Sequence, residues 1–341
     1  MKILLTGAQG FLGRRVLELL RERGHGVRAL VRRPAPELAP LAEVAEADLA
    51  AGPEILARAA AGCRGVIHCA ARSGIWGALP GFIQANFLTT LNLLAAARQS
   101  GLSWFVHTSS PSVVHTGRPL DGGDESAPYL TSGPGYPYSK MLAERLVLAA
   151  GLPAVALRPH LIWGPGDPHF LPRLLARARA GRLFLLKSQA LVDATYIDNA
   201  AWAHVLAAEK LAEGAPLGGR AYFIAQGEPL TAGAMIEKLL AAVSPPGGPV
   251  LKPAGVLPAG LGLFAAVAME KAWGLLRRPG EPPLTRFVAE ELTLPHWFDL
   301  GRARRELGYE PLVSLEEGLR RLARHSASTG VSLEKAAKSG A

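Results

Sequence analysis

The chain has 341 residues, 49% of them hydrophobic and 19% charged, enough apolar material for one large domain with a smaller second one. Thirty-seven Lys and Arg against 28 Asp and Glu give a formal charge of +9, which suits anionic partners such as nucleotide phosphates, acyl carriers or a membrane face. The basic residues are dispersed and aromatics make up only 6%, which excludes a nucleic-acid binder, and two cysteines, Cys63 and Cys69, exclude a disulfide scaffold and point to a reducing compartment.

The apolar start, Ile3 to Leu5, runs at once into a glycine turn, too short for a secretory leader, and reads as a buried strand. In "TGAQGFLG" Gly7, Gly10 and Gly13 follow that strand and open an amphipathic stretch, Phe11–Arg23. Strand, glycine turn and helix are the context of a dinucleotide cradle: a tight turn, close backbone approach and a helix N-terminus facing a pyrophosphate. Gly7, Gly10, Phe11, Leu12 and Gly13 are its expected residues, spaced G-x-x-G-x-x-G. The second strand, Val27–Val31, ends without the carboxylate that would hold a ribose diol. Arg32 and Arg33 follow instead, and a guanidinium there favours the 2′-phosphate of NADP, with Arg32 the assigned contact. A solvated arginine at a strand end is the plain alternative. Asp48, with Leu49, is expected near the adenine, unless Asp48 caps the helix that follows.

Further apolar runs at Gly65–Cys69, Trp104–Thr108 and Ala154–Leu157 alternate with amphipathic stretches at Phe82–Gln99 and Tyr136–Ala149. The alternation predicts an α/β fold: a Rossmann-type doubly wound parallel sheet with a smaller, mainly helical C-terminal substrate cap. Residues 1–163 form the NADP-binding part, to which 190–226 returns. The cap takes 164–189 and 227–325, with Pro- and Gly-rich joints at Pro245–Pro249 and Pro279–Pro283, and 326–341 is a frayed tail. Pro253–Met269, the most apolar stretch, falls short of a membrane span and contains Pro258 and three glycines. It reads either as a buried cap helix or as one lining the mouth of an acyl channel, touching lipid or a partner enzyme with its outer face.

Tyr136 and Lys140 are four apart, which on a helix puts them on one face, whereas Tyr138 points elsewhere. A ketone accepting hydride builds charge on its oxygen, so a positioned acid must supply a proton. A phenol is too weak an acid at neutral pH unless a neighbouring cation such as Lys140 favours phenolate. Scattered histidines give no Ser-His-Asp logic, and no metal site is expected.

Together, "TGAQGFLG", "HCAA" at His68–Ala71, "HTSSPSVV" at His107–Val114 and Tyr136-x-x-x-Lys140 resemble the extended short-chain dehydrogenase/reductase family. The later stretches "LRPHLIWGPGD", "TYIDNAAWAH" and "GEPPLTRF" resemble the 2-alkyl-3-oxoalkanoate reductases of bacterial long-chain olefin biosynthesis, relatives of 3β-hydroxysteroid and decarboxylating sterol dehydrogenases. The resemblance implies Tyr136 as acid, Lys140 on the nicotinamide ribose, and Ser110, with Ser109 the fallback, on the substrate carbonyl. It also implies Asn86 as a support of the active-site helix, with Ala70 and Pro159 near the cofactor. His160, Trp163 and His169 are channel-lining candidates outside the catalytic set.

The expected reaction is NADP(H)-dependent reduction of a ketone on a large apolar acyl substrate, with NADPH preferred over NADH. The alternatives are a 3β-hydroxysteroid or sterol dehydrogenase, a nucleotide-sugar epimerase, disfavoured by Arg32 and an apolar cap, and a non-catalytic nucleotide sensor, disfavoured by the intact Ser, Tyr and Lys. A cytoplasmic homodimer with peripheral membrane contact and association with other enzymes of its pathway is expected.

Overall fold

A computed structural model of the chain describes residues 1–74, 76–244, 249–278 and 280–328. Most of the joint at Pro245–Pro249, Pro279 of the second joint, and 329–341 of the tail lie outside the described residues. Seven parallel strands form the central sheet. From one edge to the other they are Arg220–Ile224, Ala154–Pro159, Trp104–Thr108, Gly65–His68, Lys2–Thr6, Gly26–Val31 and Glu43–Glu46. Both faces are covered by helices, which is why the inner strands read as nearly unbroken apolar runs. Side chains alternate across the pleat: Ile3 and Leu5 pack with Val16 and Leu20 of the Phe11–Glu22 helix and with Val205 and Ala208 of the Ile197–Ala212 helix. Leu4 faces the other way, onto Leu56, Leu93 and Leu94.

The strand order reverses at Lys2–Thr6, which pairs with Gly26–Val31 on one side and Gly65–His68 on the other. Ligands of open parallel sheets bind at such switch points, outside the carboxyl ends of the strands. The helix expected over Phe82–Gln99 has three parts: an α-helical turn Leu79–Phe82, a π-helical stretch Ile83–Leu88 and an α-helix Thr89–Gln99. The π segment is centred on Asn86, and such segments are frequent at functional sites.

Beyond the sheet, a second apolar core holds Trp163, Leu174, Tyr196 and Leu239. This region is less purely helical than expected. It adds a four-stranded sheet of Leu230–Thr231, Leu191–Val192, His296–Phe298 and Leu120–Gly123, and a pair of Gly255–Pro258 with Phe184–Lys187. Strands of two to four residues are too short to print a period in the sequence.

Two expectations are corrected. Pro253–Met269 is not a buried helix, and none of it lines the apolar cavity of about 400 Å³ that has Phe170, Met235 and Phe287 in its wall: Gly255–Pro258 is a strand and the helix runs Ala259–Leu275, with only Gly262 and Ala266 buried. A helix apolar on every side has no face by which sequence could tell core from surface. The tail begins later than 326, because the Leu315–Ser328 helix carries Ser326 into a buried position where its Oγ donates to the Val243 carbonyl at 3.3 Å.

Candidate active site

The first turn is built from glycine for steric reasons. Gly7 has φ +75°, and a Cβ there would lie 2.7 Å from the Ala70 nitrogen. A Cβ on Gly13 would meet the Gly7 carbonyl oxygen at 2.1 Å, so only glycine lets the helix pack this closely onto the turn. Gly10, which donates to the Gly7 carbonyl at 2.9 Å, is the N-cap. It supplies no side-chain acceptor and the first helical turn has no carboxylate, so the helix presents uncapped N–H groups and the positive end of its dipole. Phe11 and Leu12 are half-buried beside it. The donor set fits a dinucleotide pyrophosphate.

Around the crevice, Arg32 and Arg33 are exposed at the end of Gly26–Val31, and among the described residues no carboxylate pairs with either. Asp48 does not cap the following helix. Its Oδ1 accepts from the Ala50 N–H at 2.9 Å in a local turn, and the N-cap of Pro53–Ala60 is Gly52. Leu49 is half-buried, and its carbonyl accepts from Asn92 Nδ2 at 3.0 Å. Pro159 is buried at the end of its strand.

Tyr136 and Lys140 lie in the first half of the Gly135–Leu148 helix. Ser110 is the N-cap of the 3₁₀ turn Pro111–Val114 and accepts from the Ser112 N–H at 3.2 Å and the Ser112 hydroxyl at 2.9 Å. Burial pushes the Tyr136 phenol up, and a hydrogen bond with Ser110 acts against that shift. Ser109 is buried with no hydroxyl partner among the described residues. Lys140 is buried too, and burial pushes its ammonium down to about 8, opposed by the charge of Glu144 one turn along. Its Nζ donates to the Thr108 carbonyl and lies 3.4 Å from His107 Nε2. The expected depression of the Tyr136 phenol by Lys140 is therefore not met here: the ammonium is engaged at the strand end.

Behind this pair runs a polar network that sequence reading missed. The Ala70 N–H donates to Thr6 Oγ1 at 3.2 Å, and Thr6 Oγ1 bonds His68 Nδ1 at 2.7 Å. On the other side His68 Nε2 meets Thr90 Oγ1 at 3.0 Å, and Thr90 Oγ1 donates to the Asn86 carbonyl at 2.6 Å. Because Thr90 spends its proton on a carbonyl, His68 must donate from Nε2 and accept at Nδ1. Burial and the charge of Lys140 hold His68 neutral, pushed down to about 3. Burial pushes His204 down to about 4; its Nδ1 donates to the Ala200 carbonyl and its Nε2 accepts from Thr108 Oγ1 at 2.8 Å. "HCAA" and "HTSS" contain His68 and His107, yet nothing local says that adjacent strands bring them side by side.

Asn86 is buried and tied in three directions. Its Oδ1 accepts from the Arg72 N–H at 2.7 Å, and its Nδ2 donates to the Arg72 carbonyl at 3.1 Å and to Ser139 Oγ at 2.9 Å. It thus clamps the loop after Gly65–His68 onto the Tyr136 helix. The far half of that helix is fixed by a buried ion pair, Arg158 Nη2 to Glu144 Oε1 at 2.6 Å, with the Tyr129 hydroxyl donating to the same oxygen.

A cavity of about 400 Å³ opens next to the clamped loop, with Ser73 and Gly74 in its wall. Its lining is mostly apolar, including Leu161, Phe170, Met235 and Phe287, and it takes in His160 and His169. Trp163 is not part of it but lies in the second apolar core. Leu161 holds φ +40°, a strained conformation for a leucine, beside His160 in the wall.

Residues 4–244 match the 3-beta hydroxysteroid dehydrogenase/isomerase family. A 2-alkyl-3-oxoalkanoate reductase of Stenotrophomonas maltophilia is 47% identical, covering 96% of this chain and all of that one. A 3-beta-hydroxysteroid dehydrogenase of Mycolicibacterium neoaurum is 33% identical over 93% of this chain and 89% of its own length. Among solved structures, MoeE5 in complex with UDP-glucose and NAD superimposes with a TM-score of 0.72 at 25% identity, covering 97% of this chain and 100% of that one. With its glycine turn, its parallel sheet and its match over 4–244, this chain belongs to the 3-beta hydroxysteroid dehydrogenase/isomerase family.

Proposed function

We propose that the protein reduces the ketone of a 2-alkyl-3-oxoalkanoic acid to the secondary alcohol, with NADPH as hydride donor. The observation that carries this reading is the reductase relative at 47% identity over essentially the whole chain, supported by a mostly apolar cavity of about 400 Å³. Gly7, Gly10, Phe11, Leu12 and Gly13 would hold the pyrophosphate, Ala70 and Pro159 the nicotinamide end, Asp48 and Leu49 the adenine, and Arg32 the 2′-phosphate. Bound NADPH supplies the hydride. Ser110 fixes the substrate carbonyl by a hydrogen bond, and Tyr136 gives its phenolic proton to the oxygen as charge develops there. Lys140, whose Nζ donates to the Thr108 carbonyl at the strand end, would donate to the ribose hydroxyls.

A steroid or sterol alcohol is the second reading, favoured by the Mycolicibacterium relative and by the same apolar lining. The test is turnover of NADPH with long-chain 2-alkyl-3-oxo acids, steroids and nucleotide sugars in parallel. Oxidation of NADPH by the 3-oxo acids alone is expected, and turnover of steroids alone would overturn the assignment. The reading includes a homodimer, checked by sedimentation velocity, and peripheral membrane contact through the outer face of Ala259–Leu275. That face exposes Leu261, Phe264 at 73% and Leu275 at 85%, with Lys271 and Arg277 nearby. No described helix is long and apolar enough to cross a membrane.

A further inference from the structure

A cluster that the reduction does not use sits in the cavity wall. Glu291 ends the helix Arg286–Glu291, His296 opens the strand His296–Phe298, and His160 follows the strand Ala154–Pro159. His160 Nε2 and His296 Nε2 each lie 3.2 Å from one and the same oxygen, Glu291 Oε2. Donor atoms from the three residues fall within 4.8 Å of one another.

Proton placement makes this arrangement informative. His296 Nδ1 is 2.8 Å from the Leu294 carbonyl, and His160 Nδ1 bonds the Asp193 carbonyl. A carbonyl only accepts, so both Nδ1 atoms carry hydrogen. Each neutral ring then turns a bare Nε2 lone pair towards an anionic oxygen. That is repulsive unless both rings are cations, with centroids 4.8 Å apart, or one cation sits among the three atoms.

We propose that His160, Glu291 and His296 bind a divalent cation of the zinc class. Tetrahedral zinc with bonds of about 2.0–2.1 Å places neighbouring donor atoms roughly 3.3–3.4 Å apart. Two of the three edges already have 3.2 Å. Imidazoles that donate Nδ1–H to backbone carbonyls are oriented as metal-bound imidazoles are. Glu291 is oriented too: its other oxygen, Oε1, is held by His115 Nδ1 at 3.1 Å, whose Nε2 faces Glu290 Oε2 at 3.2 Å. That leaves Oε2 as the single ligand oxygen. Three protein ligands with a cavity on the remaining side make an open site, whose fourth position would take water or an oxygen of whatever fills the cavity.

The test uses untagged full-length protein, stripped with a chelator and then titrated with Zn²⁺ by calorimetry and with Co²⁺ by visible absorbance. One saturable equivalent per chain is expected, with the intense visible bands of four-coordinate cobalt. Glu291→Gln, which keeps the shape, should weaken binding at least tenfold, and His296→Ala should abolish it, with circular dichroism and thermal melting confirming that each variant is folded. Should either fail to fold, His296→Gln serves as the replacement. No saturable equivalent in the wild type would overturn the proposal, leaving an imidazolium–carboxylate network only. Unchanged affinity in folded variants would overturn it as well, by placing the ion elsewhere.

Discussion

Tyr136 is where the chemistry is most exposed to test. Tyr136→Phe removes the proposed proton donor and nothing from the glycine turn, so turnover should fall about 10²-fold or more while NADPH still binds. Steady-state rates beside a fluorescence titration of NADPH check both halves, and near-normal turnover would sink the assignment. At Arg32, loss of one charged hydrogen-bonding partner should cost about 1.5–3 kcal/mol, or roughly ten- to a hundredfold in affinity for NADPH. NADH should be little affected by Arg32→Ala, and equal weakening of both would show that Arg32 does not read the phosphate. Lys140 makes a prediction about stability. Its folded pKa of about 8 lies below the ordinary 10.5, so under pH 8 the charge is buried at a cost, and the cost fades as pH rises from 8 to 10.5. Lys140→Met removes that cost but also the bond to Thr108, and the cofactor-free variant should gain on the order of 2 kcal/mol at pH 6. The advantage should shrink as pH rises through that window. Thermal melts of both proteins at pH 6 and pH 9.5 decide it, since a constant gap would mean an unshifted lysine.

Two helices carry predictions of their own. Met235, on Ala232–Val243, is buried and lines the cavity. If an acyl chain lies there, each added methylene contributes about 0.8 kcal/mol, and kcat/KM should climb several-fold per carbon until the space is full. Met235→Trp should move that plateau to shorter chains, whereas indifference of the wild type to chain length would remove the acyl reading. On Ala259–Leu275, Leu263 is half-buried against the small core of Leu186, Ala266 and Ala289, whereas Phe264 is exposed. Phe264 is the better probe. Phe264→Asp should leave the melting temperature unchanged and reduce co-sedimentation with vesicles of anionic lipid several-fold. Equal sedimentation of variant and wild type would show that this face is not what meets lipid.

At the scale of the whole molecule, legibility in the sequence followed locality. Gly7, Gly10 and Gly13, the apolar runs of the inner strands and the Tyr136–Lys140 spacing are all written within one turn or one strand, and the five inner strands of the sheet could be read from them, but not the edge strand Arg220–Ile224. The edge strand Glu43–Glu46 could not, because its four residues are half-covered and carry two carboxylates. His160, Glu291 and His296 come from three distant segments, so no spacing announces their meeting. The outward placement of Ala259–Leu275 was hidden because its apolar residues encircle the helix. One feature of the sheet also bears on how the protein is made. Its edge strand Arg220–Ile224 is supplied after the chain has left to build much of the second core, and Tyr309 later locks it by donating to the Ala225 carbonyl at 2.9 Å. During vectorial synthesis the strand Ala154–Pro159, buried along its whole length in the finished protein, therefore waits with one side unpaired. A chain stopped at residue 163 would leave that edge open to pairing with another chain, an aggregation hazard that ends when Arg220–Ile224 emerges and closes it.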